Sequence, residues 1–150
     1  MIKICSIILY GILCFQQLGV VQVKEKIDTR ETILKNYLTS QKSPLAKNAK
    51  DFIETADKYK LDWKLLPVVS CVESSCGKNY TKNAFGFGSD TIDYGTDAQD
   101  IAGIANALNT LSYYKTYLKT KNLRDFAKAY NGEFAEDYYW HLIYFYDKIR

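Results

Sequence analysis

Apolar positions along this chain fall in separate blocks, and two of the blocks differ in kind from the rest. The first, residues 4–15, is a nearly unbroken apolar run behind a single early lysine, Lys3, with the outline of the n- and h-regions of an export signal. Alone it is too short to span a bilayer; counted on to Val23 it becomes marginally long enough. Gly19 follows without a second small residue in a cleavage pattern, and no small residue precedes Cys14 as a lipoprotein signal requires. Residues 1–23 are therefore read as a signal peptide or an N-terminal membrane anchor. The protein is expected to be exported, periplasmic or extracellular, and to touch the membrane only through this segment if it is retained. Residues 24–34 are charged and read as a linker merging into a helix near residues 31–38, with Ile33, Leu34 and Leu38 as its stripe.

The second distinctive block is residues 65–72, where apolar side chains leave almost no polar face. A helix apolar all round belongs at the centre of a domain. Helices are predicted around it. Ser43-Pro44 supplies a cap and first position for one running to about Lys60. Asp62 is placed to cap the central helix over residues 63–75, Pro67 is expected to disturb its first turn, and Gly77 suits its left-handed close. Thr96 and Gln99 form a capping box ahead of a long helix over residues 97–118. A short helix over 122–129, a Tyr130-Asn131-Gly132 turn and an aromatic helix over 136–149 complete the chain. The fold class is mainly α: one compact domain over residues 35–150, with a short irregular or β segment at about 83–95.

Composition narrows the function classes. The chain has 150 residues, 47% hydrophobic, enough for one domain with a real core. A net charge of +3, spread along the chain, gives no basic stripe for nucleic acid, yet does not oppose docking on a polyanionic cell wall. A single histidine, His141, removes multi-histidine metal sites, and neither a metal nor a cofactor is expected. The 13 tyrosines read mainly as core, although tyrosine also suits a carbohydrate groove.

The candidate chemistry lies where the central block ends. Leu65, Val69 and Glu73 share one helix face, so an apolar row runs into a carboxylate in the last helical turn. Desolvation and the negative end of the helix dipole both disfavour its ionised form, as a general acid requires. The plainer alternative is a glutamate that leaves the core and meets water or Lys78. Cys71 and Cys76 flank it. A bridge between them would clamp the helix end, but five residues of unbroken helix rise about 7.5 Å, so the chain must leave the helix by about Ser75. A cysteine peptidase using Cys71 or Cys76 with His141 is a rival reading, weakened by the apolar setting of Cys71.

The ordered set Val72-Glu73-Ser74, Gly77, Asn83-Ala84-Phe85-Gly86 and Ala129-Tyr130-Asn131-Gly132 resembles the lysozyme-like superfamily of peptidoglycan-cleaving enzymes. It is most similar to small lytic-transglycosylase-like and glucosaminidase-like domains, over residues 35–150. The resemblance implies that Glu73 is the catalytic acid and that Tyr130 orients the acid or the substrate. It also implies that Ser74, Asn83, Phe85, Gly86, Phe87, Gly88, Ser89 and Asn131 bind the glycan. The implied activity is glycan cleavage of the lytic-transglycosylase type, or that of a muramidase or N-acetylglucosaminidase, by a monomer whose partner is the peptidoglycan strand. Candidate second carboxylates are Asp90, Asp93 and Asp97, each of which also reads as loop or cap chemistry. The run Gly86-Phe87-Gly88-Ser89 and the Tyr-Asn-Gly turn depart from the common transglycosylase motifs. They leave open a catalytically inactive glycan-binding or interaction module of the same fold.

Overall fold

The computed structural model describes residues 28–88 and 91–150. Residues 1–23, read as signal or anchor, lie outside the described residues, as do Ser89 and Asp90. Seven α-helices are arranged as α1 Thr29–Ser40, α2 Ala49–Tyr59, α3 Leu65–Ser74, α4 Asp97–Thr110, α5 Lys115–Thr120, α6 Leu123–Asn131 and α7 Ala135–Tyr146, and no strand occurs among the described residues. The mainly α class is therefore the observed one. Of the segment from 83 to 95, the described residues, 83–88 and 91–95, are irregular and hold no strand.

The linker gives way to helix sooner than its charge implies. Asp28 caps α1 by accepting the Arg30 N–H at 2.8 Å, and the Arg30 guanidinium bridges Asp28 to Asp57. Leu34, placed at the end of the linker, is fully buried in the core. The helix expected from Pro44 begins as a 3-10 turn, Pro44–Asn48, capped by the Ser43 hydroxyl, before α2 takes over.

Helix α3 is the axis of the domain. Leu65, Leu66, Val68, Val69, Ser70 and Cys71 are each 2% exposed or less, so apolar contact surrounds it on nearly every side. Each such valine or leucine contributes roughly 1.5–3 kcal/mol through removal from water. Pro67 costs nothing here: it is the third residue of α3, where the backbone N–H has no intrahelical partner to lose. Asp62 caps the turn before the helix by accepting the Lys64 N–H at 2.9 Å.

Helix α7 packs against α3 and α6. It runs antiparallel to α3, since Tyr138 at its start reaches Glu73 and Tyr146 at its end reaches Asp62. The long helix expected over 97–118 is broken. Thr110 turns its hydroxyl back onto the Asn106 carbonyl, Leu111 is extended, and a 3-10 turn, Ser112–Tyr114, leads into α5. The break lets Tyr114 and Tyr117 both bury against Phe126 of α6. Helix α6 runs on through Tyr130 and Asn131, so the expected turn is the last turn of that helix and reversal waits for Gly132–Phe134.

Candidate active site

Helix α3 ends in three successive left-handed residues, Ser75, Cys76 and Gly77, with φ of 55°, 61° and 75°. The first two have a Cβ that makes this backbone costly, and it persists because the turn is held from several sides. Cys71 and Cys76 form a disulfide across it. The Ser74 hydroxyl lies 2.8 Å from the Ser70 carbonyl and 2.7 Å from that of Ala84, and accepts the Gly77 N–H at 2.9 Å. Ser43 donates to the Cys76 carbonyl at 2.6 Å. The helix thus stops abruptly one residue past Glu73. With both sulfurs bridged, neither offers the thiol a cysteine peptidase needs, and His141 lies exposed on α7 beside Asp137.

The segment 83–88 is laid against this helix end by Asn83. Its side chain, 3% exposed, accepts the Phe85 and Phe87 N–H groups at 3.1 Å each and donates to the Phe87 and Ile92 carbonyls at 2.9 Å each. All four hydrogen-bonding positions of the amide are occupied. Asn83 and Ser74, expected to bind glycan, brace the loop and also line the lobe beside Glu73. Phe85, also expected to bind glycan, is corrected: its ring is 1% exposed and meets Phe52 edge-on at 6.3 Å, in the core.

What the braced loop presents is Gly86. At φ of +62°, a Cβ on this residue would lie 2.5 Å from Glu73 Oε2, so the backbone approaches the carboxyl as only glycine allows. The other oxygen, Oε1, accepts the Tyr138 hydroxyl at 2.7 Å. Glu73 is nonetheless an exposed residue, its open side forming part of the polar lobe. Protein surrounding the rest of the group raises its pKa above the ordinary carboxylate value by desolvation, and the Tyr138 hydrogen bond opposes part of that rise.

Two lobes meet at Gly86. One, of about 420 Å³, is polar and lined by Glu73, Ser74, Asn79, Tyr80, Thr81, Asn83 and Gly86. The other, of about 690 Å³, is aromatic and extends over Phe87, Gly88, Ile92, Leu111, Tyr113, Tyr114, Ala129 and Tyr130. Of the residues expected to bind glycan, Gly86, Phe87 and Gly88 line the lobes along with Ser74 and Asn83, and exposed Asn131 does not. Tyr130 donates its hydroxyl to the Phe85 carbonyl rather than to the acid. Its ring stacks on Tyr138 at 5.5 Å and 6°, so it bears on Glu73 through its neighbour.

Tyr138, in sequence one member of the aromatic cluster on the last helix, is the side chain that meets the Glu73 carboxyl. Its signal was faint but present: it shares the inward row of α7 with Leu142, where a buried phenol must find a partner. Among the second-carboxylate candidates, Asp93 accepts the Gly95 N–H at 2.8 Å in a turn. Asp97 accepts the Tyr80 hydroxyl at 2.6 Å and pairs with Lys47 at 3.0 Å. Burial works to raise the Asp97 pKa, but those two partners outweigh it and hold the carboxyl below the usual range. The same bond pushes the Tyr80 phenol up to about 12. Glu73 is the one carboxylate lining either lobe among the described residues. No group of three or more potential metal ligands occurs among those residues. No protein-family model, curated protein or solved structure matches the chain.

Proposed function

We propose that this protein cleaves the glycan strand of peptidoglycan by general-acid catalysis from Glu73, on a lysozyme-like helical fold, as a lytic transglycosylase. The observation that carries this reading is one carboxyl of raised pKa in a lobe that adjoins a second at Gly86, with no second carboxylate lining either lobe among the described residues. A lobe that holds the acid and a second, aromatic lobe that adjoins it at Gly86 together suit a chain polymer. The polar lobe offers hydrogen-bonding groups to hydroxyls and amides, and the aromatic lobe offers rings to sugar faces.

In this reading Glu73 gives its proton to the bridging oxygen as the C1–O bond breaks and positive charge develops at C1. The carboxylate left behind then accepts the proton of the muramyl C6 hydroxyl as that oxygen bonds to C1. The product is an anhydro end, and Glu73 is protonated again. Muramidase or N-acetylglucosaminidase chemistry is the variant in which water replaces the internal hydroxyl, and it usually asks for a second carboxylate opposite the first. The enzyme acts as an exported monomer without a cofactor.

Mass spectrometry of fragments released from purified peptidoglycan tests this. Anhydromuramyl ends, lost in Glu73→Gln, are the expected result. Reducing muramic acid or reducing glucosamine would reassign the bond and the acceptor. Wall binding with no fragments released by the wild type would overturn catalysis in favour of a glycan-binding module.

A further inference from the structure

The end of the molecule remote from the cleft carries cations and amphipathic aromatic rings together. Three contacts gather it. Lys121 donates to the Lys60 carbonyl at 2.7 Å, bringing the end of α5 to the end of α2. Tyr146 donates to Asp62 at 2.5 Å, bringing the end of α7 to the start of α3. Lys64 lies 4.7 Å from the Tyr146 ring centre and 5.4 Å from that of Trp63. Lys148 sits 3.3 Å over Tyr144, which is 58% exposed. Of the carboxylates nearby, Asp57 and Asp28 share Arg30 and Asp62 takes two hydrogen bonds, while Asp147 lies exposed beside Tyr146 and Lys148 and offsets one of the cations.

The chain enters the domain at this same end, because Asp28 is tied through Arg30 to Asp57 near the end of α2. The apolar stretch that could serve as an anchor runs to Val23, five residues earlier. The cleft lies at the other end of α7, eight residues from Tyr146 at Tyr138, or about 12 Å along the helix axis.

We propose that this end is a membrane-contact surface that docks on anionic phospholipid headgroups. Lysines with aliphatic stems beside tyrosine and tryptophan rings suit a bilayer interface, where rings sit at headgroup depth and ammonium groups meet phosphate. The contact is additional to the N-terminal segment and turns the cleft away from the lipid. It stands on the surface alone, whether or not Glu73 is catalytic.

The test uses the full chain carrying Trp140→Phe, which leaves Trp63 as the only one of the two tryptophans. Vesicles are made of phosphatidylcholine, with or without phosphatidylglycerol, and each carries a lipid with a nitroxide headgroup. Trp63 fluorescence should be quenched on the anionic vesicles, much less on the zwitterionic ones, and the difference should vanish in high salt. Gln at Lys60, Lys64, Lys121 and Lys148 should reduce the docked population roughly fivefold per lysine, while Arg at the same four positions should retain it. Equal quenching on both vesicle types, no quenching on either, or loss with the arginine set as well would overturn the proposal.

Discussion

Helix α3 has a carboxylate at each end, and α7 supplies a tyrosine hydroxyl to both: Tyr146 to Asp62 at 2.5 Å and Tyr138 to Glu73 at 2.7 Å. The two pairs have the same chemistry and opposite consequences. Asp62 lies ahead of the helix, where backbone N–H groups point outward, and its second oxygen accepts one of them, from Lys64. Glu73 lies in the last turn, where carbonyl dipoles gather. Its second oxygen has no hydrogen bond among the described residues and faces Gly86. The tyrosine fixes a carboxyl in either place. An uncommitted oxygen beside a cleft separates a group able to exchange a proton with a ligand from one that only holds the chain.

Substitution at the two acids is the strongest way to break that comparison. Glu73→Gln should lower glycan cleavage by about 10²–10⁴-fold, the usual contribution of a general acid. Asp62→Asn should leave cleavage intact. Stability should move the other way. The folded state raises the Glu73 pKa, so it holds that proton more tightly than the unfolded chain does. The stabilisation is full below the unfolded pKa and is lost as pH rises through the raised folded value. An amide escapes that loss, and Glu73→Gln should melt at the wild-type temperature or above it near neutral pH. A melt lower than that of Asp62→Asn would erase the distinction between the two ends.

Gly86→Ala should have the next largest effect. The added methyl would meet Glu73 Oε2 at 2.5 Å, on a backbone at φ of +62° that alanine resists. Displacing a catalytic group by an ångström can cost about 10²-fold in rate. The loss should fall on kcat more than on binding of a glycan fragment to the lobes. An unchanged kcat would mean that the close approach of the loop is not what holds the acid in place.

How much of this was legible depended on the distance over which each signal acts. The all-apolar block that became α3 announced itself, because a helix buried on every side has no polar face to dilute its pattern. Caps were legible for the same local reason: Ser43 and the Thr96–Gln99 box act within three residues. The pairing of Cys71 with Cys76 turned on a single local fact, whether the chain left the helix by Ser75, and it does. The resemblance marks Asn83 and Ser74 as glycan-binding, and it says nothing of the backbone groups that each of them also holds. Only the fold shows that every hydrogen-bonding position of the Asn83 amide is taken. Tyr138 lies 65 residues from Glu73, and no periodicity says which inward phenol meets which carboxyl. The break at Leu111 followed from burying Tyr114 and Tyr117 together, a tertiary demand that the run of helix-forming residues did not carry.

The smallest effect gives the sharpest comparison, because it removes one oxygen from each pair. Tyr138→Phe and Tyr146→Phe each delete a single hydrogen bond to a carboxylate and keep the ring. Each should cost about 1–2 kcal/mol in chemical denaturation. The consequences should then diverge. The Tyr138 bond lowers the Glu73 pKa against the desolvation that raises it, so Tyr138→Phe leaves desolvation unopposed and the pKa climbs further. The alkaline limb of the cleavage profile, which follows protonated Glu73, should therefore move to higher pH. The Tyr130 ring, stacked at 5.5 Å, has only to keep its neighbour in place. Tyr146→Phe removes a bond about 12 Å away along α7 and should leave the profile where it was. If both variants shift it alike, the two ends of α3 are electrostatically one system. If neither does, Tyr138 only packs, and the proton on Glu73 is governed by burial alone.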